Sequence, residues 1–294
     1  MPIMFNTYAD AYEGLRHNFM QLKVNAAPRG KPIREFIGID MCIVNPCARA
    51  GYHPARKWSL VYALVDSLML FSPRNDLKLF SAFNPRMEEF SDDGLTLYGA
   101  YGPRIALSLD LAIRKLKEDA DTRQAIIYIG KDDDILPTRD MPCTISLQFM
   151  LRAGALSLLA NMRSGDFFLG LPYDIFAFTT LQEIVANTLG VPMGMYFHNV
   201  ASLHLYESDA TKVEEVQRLE PIENKTELTV NEARTLADNY CAIVDGEATS
   251  MMAGHSHFHS ALINNELTHR EGARPLPLLS HSEWARPFVK RWYR

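Results

Sequence analysis

Three short stretches bring reactive side chains together: Pro142-Cys143-Thr144, Arg163-Ser164-Gly165-Asp166, and Gly170-Leu171-Pro172-Tyr173-Asp174. A cysteine that follows proline at a strand start sits on a backbone of restricted φ. A neighbouring arginine that lowers its pKa makes the thiolate a good nucleophile toward carbon. The competing reading of Cys143 is a buried structural thiol, because free cysteine is among the most buried residue types. Arg163 and Ser164 suit a phosphate, the arginine by its fork of N–H donors and the serine by its hydroxyl. Taken alone they also read as a solvated surface pair. His255, His257 and His259 alternate and would share one face of a strand, a pattern a metal can use. They lack cysteine or carboxylate partners at fixed spacing, so a solvent-facing turn is preferred and no metal is expected.

These groups need rigid elements to hold them. Apolar residues at spacings of three and four predict a helix over 5–23, followed by a Pro/Gly/basic loop through Pro28, Arg29, Gly30, Lys31 and Pro32. A strand is predicted over 35–44, a buried helix over 58–71, a helix over 107–117 and a strand over 124–129. Two apolar runs, 145–151 and 156–159, flank Arg152-Ala153-Gly154, which is hairpin turn chemistry. A helix over 174–189 is stopped by Gly190 and Pro192, and it leads to a strand over 195–206 and a charged helix over 207–219. A last helix is predicted over 232–248, ahead of a Pro-rich and then basic tail. Long helices alternate with long antiparallel strands without a βαβ rhythm, so the fold class is α+β, a large mixed β-sheet packed with long helices.

The 294 residues are 47% hydrophobic and 22% charged, enough apolar surface for a full core, so disorder is excluded as the main state. A formal charge of −5 argues against stable electrostatic binding of nucleic acid. The chain has no run of eighteen apolar residues to span a membrane, and its N-terminus does not resemble a secretory signal. Four cysteines in a chain of this length read as reduced thiols, so a cytoplasmic location is expected. Cys42 and Cys47 lack zinc spacing and read as packing residues.

Taken together the motifs resemble the thymidylate synthase family. Pro142-Cys143, Gln148-Phe149, Arg163-Ser164-Gly165-Asp166, Leu169-Gly170-Leu171-Pro172 and His204-Leu205-Tyr206 stand in that family's order, without gaps from 142 to 206. Upstream, Asp121-Thr122-Arg123 is similar to its phosphate-arginine segment and Tyr101-Gly102 to the pair before it. The likeness covers about 90–215, thins over 1–90 and is lost from about 220. One domain over 1–294 with a divergent C-terminal region is therefore expected.

The resemblance implies roles. Cys143 would add to carbon 6 of a pyrimidine nucleotide and make carbon 5 nucleophilic. Arg163 and Ser164 would hold the 5′-phosphate, joined by Arg123 from the partner subunit of a homodimer, and Gly165 beside them would belong to the substrate site. Arg29 would be a further phosphate ligand, with Arg34 its rival. Gln148 would line the pocket wall, and His204 and Tyr206 would meet the sugar hydroxyl. The one-carbon donor would be the co-substrate 5,10-methylene-tetrahydrofolate, with Asp166 and Gly170 near its pterin.

Four departures from the family pattern bear on the reaction. Asp174 replaces the asparagine that reads uracil, and a carboxylate facing uracil O4 would set acceptor against acceptor. Cytosine offers an amino donor there, and its N3 must gain a proton as the thiolate adds. The competing reading of Asp174 is a helix cap. Asp66 occupies the place of the family's general acid/base glutamate, or is a capping or paired aspartate. Thr144 follows the nucleophile where histidine is usual. Met87 and Phe90 replace the tryptophans that shield the reaction from water. The expectation is 5-hydroxymethylation of dCMP or CMP, the alternatives being a folate-dependent C5 methyltransferase and a non-catalytic nucleotide-binding homologue.

Overall fold

The computed structural model describes residues 1–56 and 58–247. In chain order its elements are β1 (Ile3–Phe5), α1 (Tyr8–Gln21), β2 (Ile33–Ile43), β3 (Ala50–Tyr52), α2 (Leu60–Met69), α3 (Leu77–Ser81), α4 (Gly102–Glu118), β4 (Ile126–Tyr128), β5 (Thr144–Arg152), β6 (Ala155–Met162), β7 (Gly165–Asp166), α5 (Leu171–Leu189), β8 (Met193–Tyr206), α6 (Ala210–Glu215), β9 (Glu220–Ile222) and α7 (Val230–Val244). Among the described residues four short 3-10 segments join them, such as Pro28–Gly30 and Pro85–Glu89.

The main sheet runs β1-β2-β8-β6-β5-β4, with β7 also paired to β8. It is mixed: β2 and β8, β5 and β6, and β4 and β5 are antiparallel, whereas β6 and β8 are parallel. The parallel pair needs a long crossover, and α5 supplies it. The hairpin between β5 and β6 turns through Ala153 and Gly154, both at positive φ (50° and 76°), the conformation a two-residue turn requires.

Most elements fall where the periodicity puts them, and the differences have local causes. The expected helix over 5–23 begins at Tyr8, because Thr7 caps it in a capping box with Asp10 while Ile3–Phe5 pairs with β2. The helices α4 and α5 start earlier than expected, each with proline in its first turn, Pro103 and Pro172. The expected helix over 207–219 stops at Glu215, and the following residues leave it to pair Glu220–Ile222 with β3. Residues 248–294, which include His255, His257, His259 and the basic tail, lie outside the described residues.

The core is built on α5, whose residues 175–186 are buried around the whole helix. One side packs on β6 and β8 and the other on α2, which is nearly as apolar. Fully buried Phe149, Phe176 and Phe178 each contribute about 1.5–3 kcal/mol by removal from water. One ion pair lies inside this core. Arg49, wholly buried, donates to Glu183 and to Thr180 Oγ1 (2.8 Å), both on α5.

Candidate active site

Cys143 is fixed by its neighbours. Its carbonyl accepts the Arg163 N–H (2.8 Å), and the Thr144 N–H and hydroxyl both meet the Tyr101 phenol oxygen (3.2 and 3.0 Å). The side chain of Thr144 is therefore part of a buried hinge to α4, at the place where the ladder between β5 and β6 shifts register. The Arg163 guanidinium is aimed by two main-chain carbonyls, Nε to Pro142 (2.9 Å) and Nη2 to Met141 (2.8 Å). Nucleophile and arginine thus share one rigid corner.

The thiol itself departs from the sequence expectation. Burial pushes the Cys143 pKa up, and the opposing pull of Arg163 and, more weakly, Arg29 does not overcome it; Asp174 and Asp140 push the same way as burial. Cys143 is thus a protonated thiol in the free protein. Asp140 itself is pushed up to about 6 by burial, although its carboxylate accepts the Gly99 N–H (2.7 Å).

The segment Arg163-Ser164-Gly165-Asp166 is brought beside the sugar-type residues by β7. In the parallel pairing Gly165 faces Leu203 and Asp166 faces His204. A Cβ at Gly165 would come within 3.3 Å of the Val200 side chain, so the close strand approach favours glycine. The Asp166 carboxylate accepts two main-chain N–H groups, from Phe168 and Leu169 (2.8 Å each). Burial raises its pKa, against those hydrogen bonds and the nearby His204. His204 is buried with Nδ1 unpartnered among the described residues, and Tyr206 packs edge-on against its ring at 5.1 Å. A buried ring nitrogen without a partner is a group that a bound hydroxyl would satisfy.

Asp174 sits in the first turn of α5, its N–H bonded to the Gly170 carbonyl (3.0 Å). The N-cap is Gly170, and it makes no side-chain cap, so Asp174 is not the capping residue. Burial raises its pKa to about 8, helped by the carboxyls of Asp66 and Asp166. Asp66 lies mid-helix on α2, where burial pushes it up to about 7. No hydrogen bond or ion pair to Asp66 is found among the described residues, so it is neither a cap nor a paired aspartate there. Both side chains remain partly accessible, as do Cys143 and Asp166, and Asp174 lies within electrostatic reach of the other three.

Other expected residues lie elsewhere. Arg34 is committed to Glu207 by two hydrogen bonds (2.8 and 2.9 Å) and to the Phe19 carbonyl, which takes it out of contention as a phosphate ligand. Arg29, exposed in its loop at positive φ (52°), is the arginine whose charge reaches Cys143. Gln148 does not line the cleft. Strand alternation turns it away from buried Leu147 and Phe149, and its amide donates to the Arg123 carbonyl (2.9 Å). Arg123 stands exposed on a loop that Arg152 also ties down through the Asp121 carbonyl (3.0 Å). Of the wall pair, Met87 is packed inward and accepts from the Tyr62 hydroxyl at 3.5 Å, whereas Phe90 is 40% exposed.

Two tyrosines facing the carboxyls escaped the sequence reading. Tyr62 lies one helical turn before Asp66, a spacing that could have flagged it. Tyr196 is fully buried, interacts with Asp174 and bonds His198 Nδ1 (2.8 Å), a long-range arrangement that no local pattern carries. Among the described residues no cluster of three or more His, Cys, Asp or Glu could hold a metal ion, and no helix is long and apolar enough to cross a membrane.

Comparison with known proteins gives the following. The thymidylate synthase family profile matches residues 104–246. The chain is 30% identical over 259 residues to the deoxyuridylate hydroxymethyltransferase of Bacillus phage SP01, covering 74% of this chain and 68% of that protein. It is 33% identical over 180 residues to the enzyme of the same name from Pseudomonas phage M6 (58% and 51% covered) and 30% over 194 residues to that from Delftia phage PhiW-14 (60% and 54%). The chain thus spans about half the length of the last two.

Proposed function

The chain belongs to the thymidylate synthase family, and from that premise we propose that it adds a hydroxymethyl group to carbon 5 of a cytosine nucleotide, using methylene-tetrahydrofolate and water. The observation that carries the base assignment is Asp174, a half-buried carboxyl whose pKa of about 8 keeps it a neutral acid at pH 7. Its O–H complements N3 of cytosine and its carbonyl the exocyclic amino group. As Cys143 adds to carbon 6, Asp174 delivers its proton to N3, and the carboxylate so formed accepts the Cys143 thiol proton, so that charge does not build up on the ring. Arg163, Ser164 and Arg29 hold the phosphate and His204 with Tyr206 the sugar. Carbon 5 then takes the one-carbon unit, Asp66 serves as general base, and water completes the hydroxymethyl group as Cys143 leaves. The sum is nucleotide, methylene-tetrahydrofolate and water giving product and tetrahydrofolate, with no change of oxidation state.

The folate is a substrate of this reaction, and the cleft suits it. Asp166, held by two N–H groups, presents a fixed carboxylate, and Gly170 lies beside it, where a Cβ would come 3.5 Å from the Asp166 main chain and from Asp174 Oδ2.

A second reading has its own support. The relatives are named for deoxyuridylate, and a neutral Asp174 can also accept from N3–H and donate to O4 of uracil. A homodimer in which Arg123 serves the partner's site is part of the proposal. The sheet face bearing Gln148, Met150, Leu159, Phe197 and Met195 stays partly exposed, a surface that suits a second copy.

The experiment is tritium release from [5-³H]-dCMP, -CMP and -dUMP with methylene-tetrahydrofolate, the products identified by mass spectrometry. A 5-hydroxymethylcytosine nucleotide with tetrahydrofolate is expected. A hydroxymethyluracil product gives the second reading, dihydrofolate means methylation, and nucleotide binding without tritium release means a non-catalytic homologue.

A further inference from the structure

We infer that the Tyr62 hydroxyl, one helical turn from Asp66, positions the water that adds to the substrate's exocyclic methylene and so selects the hydroxymethyl product. The inference rests on the reaction proposed above.

Tyr62 and Asp66 are four residues apart on α2 and share a face. The Tyr62 ring packs edge-on against Tyr173 (centroids 5.0 Å apart), which accounts for the ring and not for the hydroxyl. The Tyr62 side chain is buried, and its hydroxyl lies within electrostatic reach of the Asn84 side chain and of the carboxyls of Asp66 and Asp174. Among the described residues its own proton goes only to Met87 Sδ at 3.5 Å. A thioether is a weak acceptor, so a strong buried donor is left under-used beside two carboxyls. A water between Tyr62 and Asp66 uses it fully, accepting from the phenol and donating to the carboxylate. Met87, in place of a large aromatic shield, is the wall against which that water sits.

In the step itself, water oxygen forms a bond to the methylene carbon and its proton passes to the Asp66 carboxylate. The methylene π pair moves toward carbon 5, re-forms the bond between carbons 5 and 6, and expels the Cys143 thiolate. Nothing is oxidised or reduced. Tyr62 is a positioning residue here, acting through the water it orients.

The methylene group is an electrophile, so an added thiol competes with water for it. The test compares the wild-type chain with Tyr62→Phe and Asn84→Ala, measuring tritium release and the ratio of hydroxymethyl to thioether product across a series of 2-mercaptoethanol concentrations. For Tyr62→Phe, which keeps the ring, tritium release within about threefold of wild type and a product ratio about tenfold lower are expected, the scale of one lost hydrogen bond. Asn84→Ala should lower the ratio by about threefold, because it only loosens the hydroxyl. Normal tritium release with an unchanged ratio in both variants overturns the inference. So does loss of tritium release in Tyr62→Phe, which would give the hydroxyl an earlier role. No tritium release by the wild-type chain overturns the reaction itself, and this inference with it.

Discussion

Replacing Asp174 by asparagine separates two tasks that the proposed reaction gives to one carboxylic acid. With a pKa of about 8, about nine in ten Asp174 side chains are neutral at pH 7. In the proposed reaction the neutral acid holds cytosine by two hydrogen bonds and gives a proton to N3 as Cys143 attacks. An asparagine amide keeps the shape and both hydrogen bonds, but its N–H does not dissociate. Binding of the cytosine nucleotide should therefore change by no more than about threefold, while its turnover falls by about 10²–10⁴, the usual worth of a positioned proton donor. That is about 3–5 kcal/mol of transition-state stabilisation. Uracil already carries its N3 proton and needs only a donor at O4, which asparagine supplies. The cytosine to uracil preference should fall by at least about a hundredfold. The pH dependence adds a sign: ionised Asp174 opposes O4, so wild-type turnover of uracil nucleotides should decline as pH rises through about 8, and the variant should show no such decline. Single-turnover tritium release from [5-³H]-dCMP and -dUMP between pH 6 and 9.5 measures all of this. A preference within threefold of wild type would refute the claim that Asp174 reads the base.

Five further outcomes follow from the geometry. Arg29→Ala should weaken nucleotide binding about 10–100-fold by equilibrium titration, as expected for a lost charge-assisted bond. Arg34→Ala should leave that affinity unchanged and remove at most about 1 kcal/mol of stability, its partner Glu207 being exposed. Asp66 and Asp174 hold their protons to about 7 and 8, above the unfolded value near 3.8, so folded protein binds more protons than unfolded protein in that window and stability falls as pH rises from about 4 to 8. Asp174→Asn should flatten this slope in urea titrations and raise stability at pH 8 by about 2–3 kcal/mol, less than a sealed site would give because the cleft admits water. Arg49→Met should cost about 3–5 kcal/mol by stranding buried Glu183, and Arg49→Met with Glu183→Leu should recover most of it. Finally, mixing Cys143→Ser and Arg123→Ala chains should restore activity by forming one intact site per hybrid dimer, and no recovery would exclude a shared site.

Much of the molecule was legible in the chain because its determinants are local. Capping residues, the hairpin turn at Ala153-Gly154 and the stop at Gly190 place their elements within a few residues, since each acts through its own backbone. The spacing from Cys143 to Tyr206 was enough to name a family, because β5, β6, β7, α5 and β8 are consecutive and their order alone aligns the motifs. What the tertiary structure decided depends on distant partners. Arg34 and Arg29 are alike in sequence, and only the pairing of β2 with the end of β8 brings Glu207 to capture Arg34. Gln148 belongs to the motif, yet strand alternation turns it to hold the Arg123 loop. The thiol of Cys143 is raised where the sequence suggested it would be lowered, because desolvation depends on everything packed around it and an arginine's charge on one neighbour. The two carboxyls that hold protons near pH 7, and the tyrosine facing them, come from α2 and α5, more than a hundred residues apart. The sequence determined which chemical groups the protein owns; burial and packing determined which of them carry a proton.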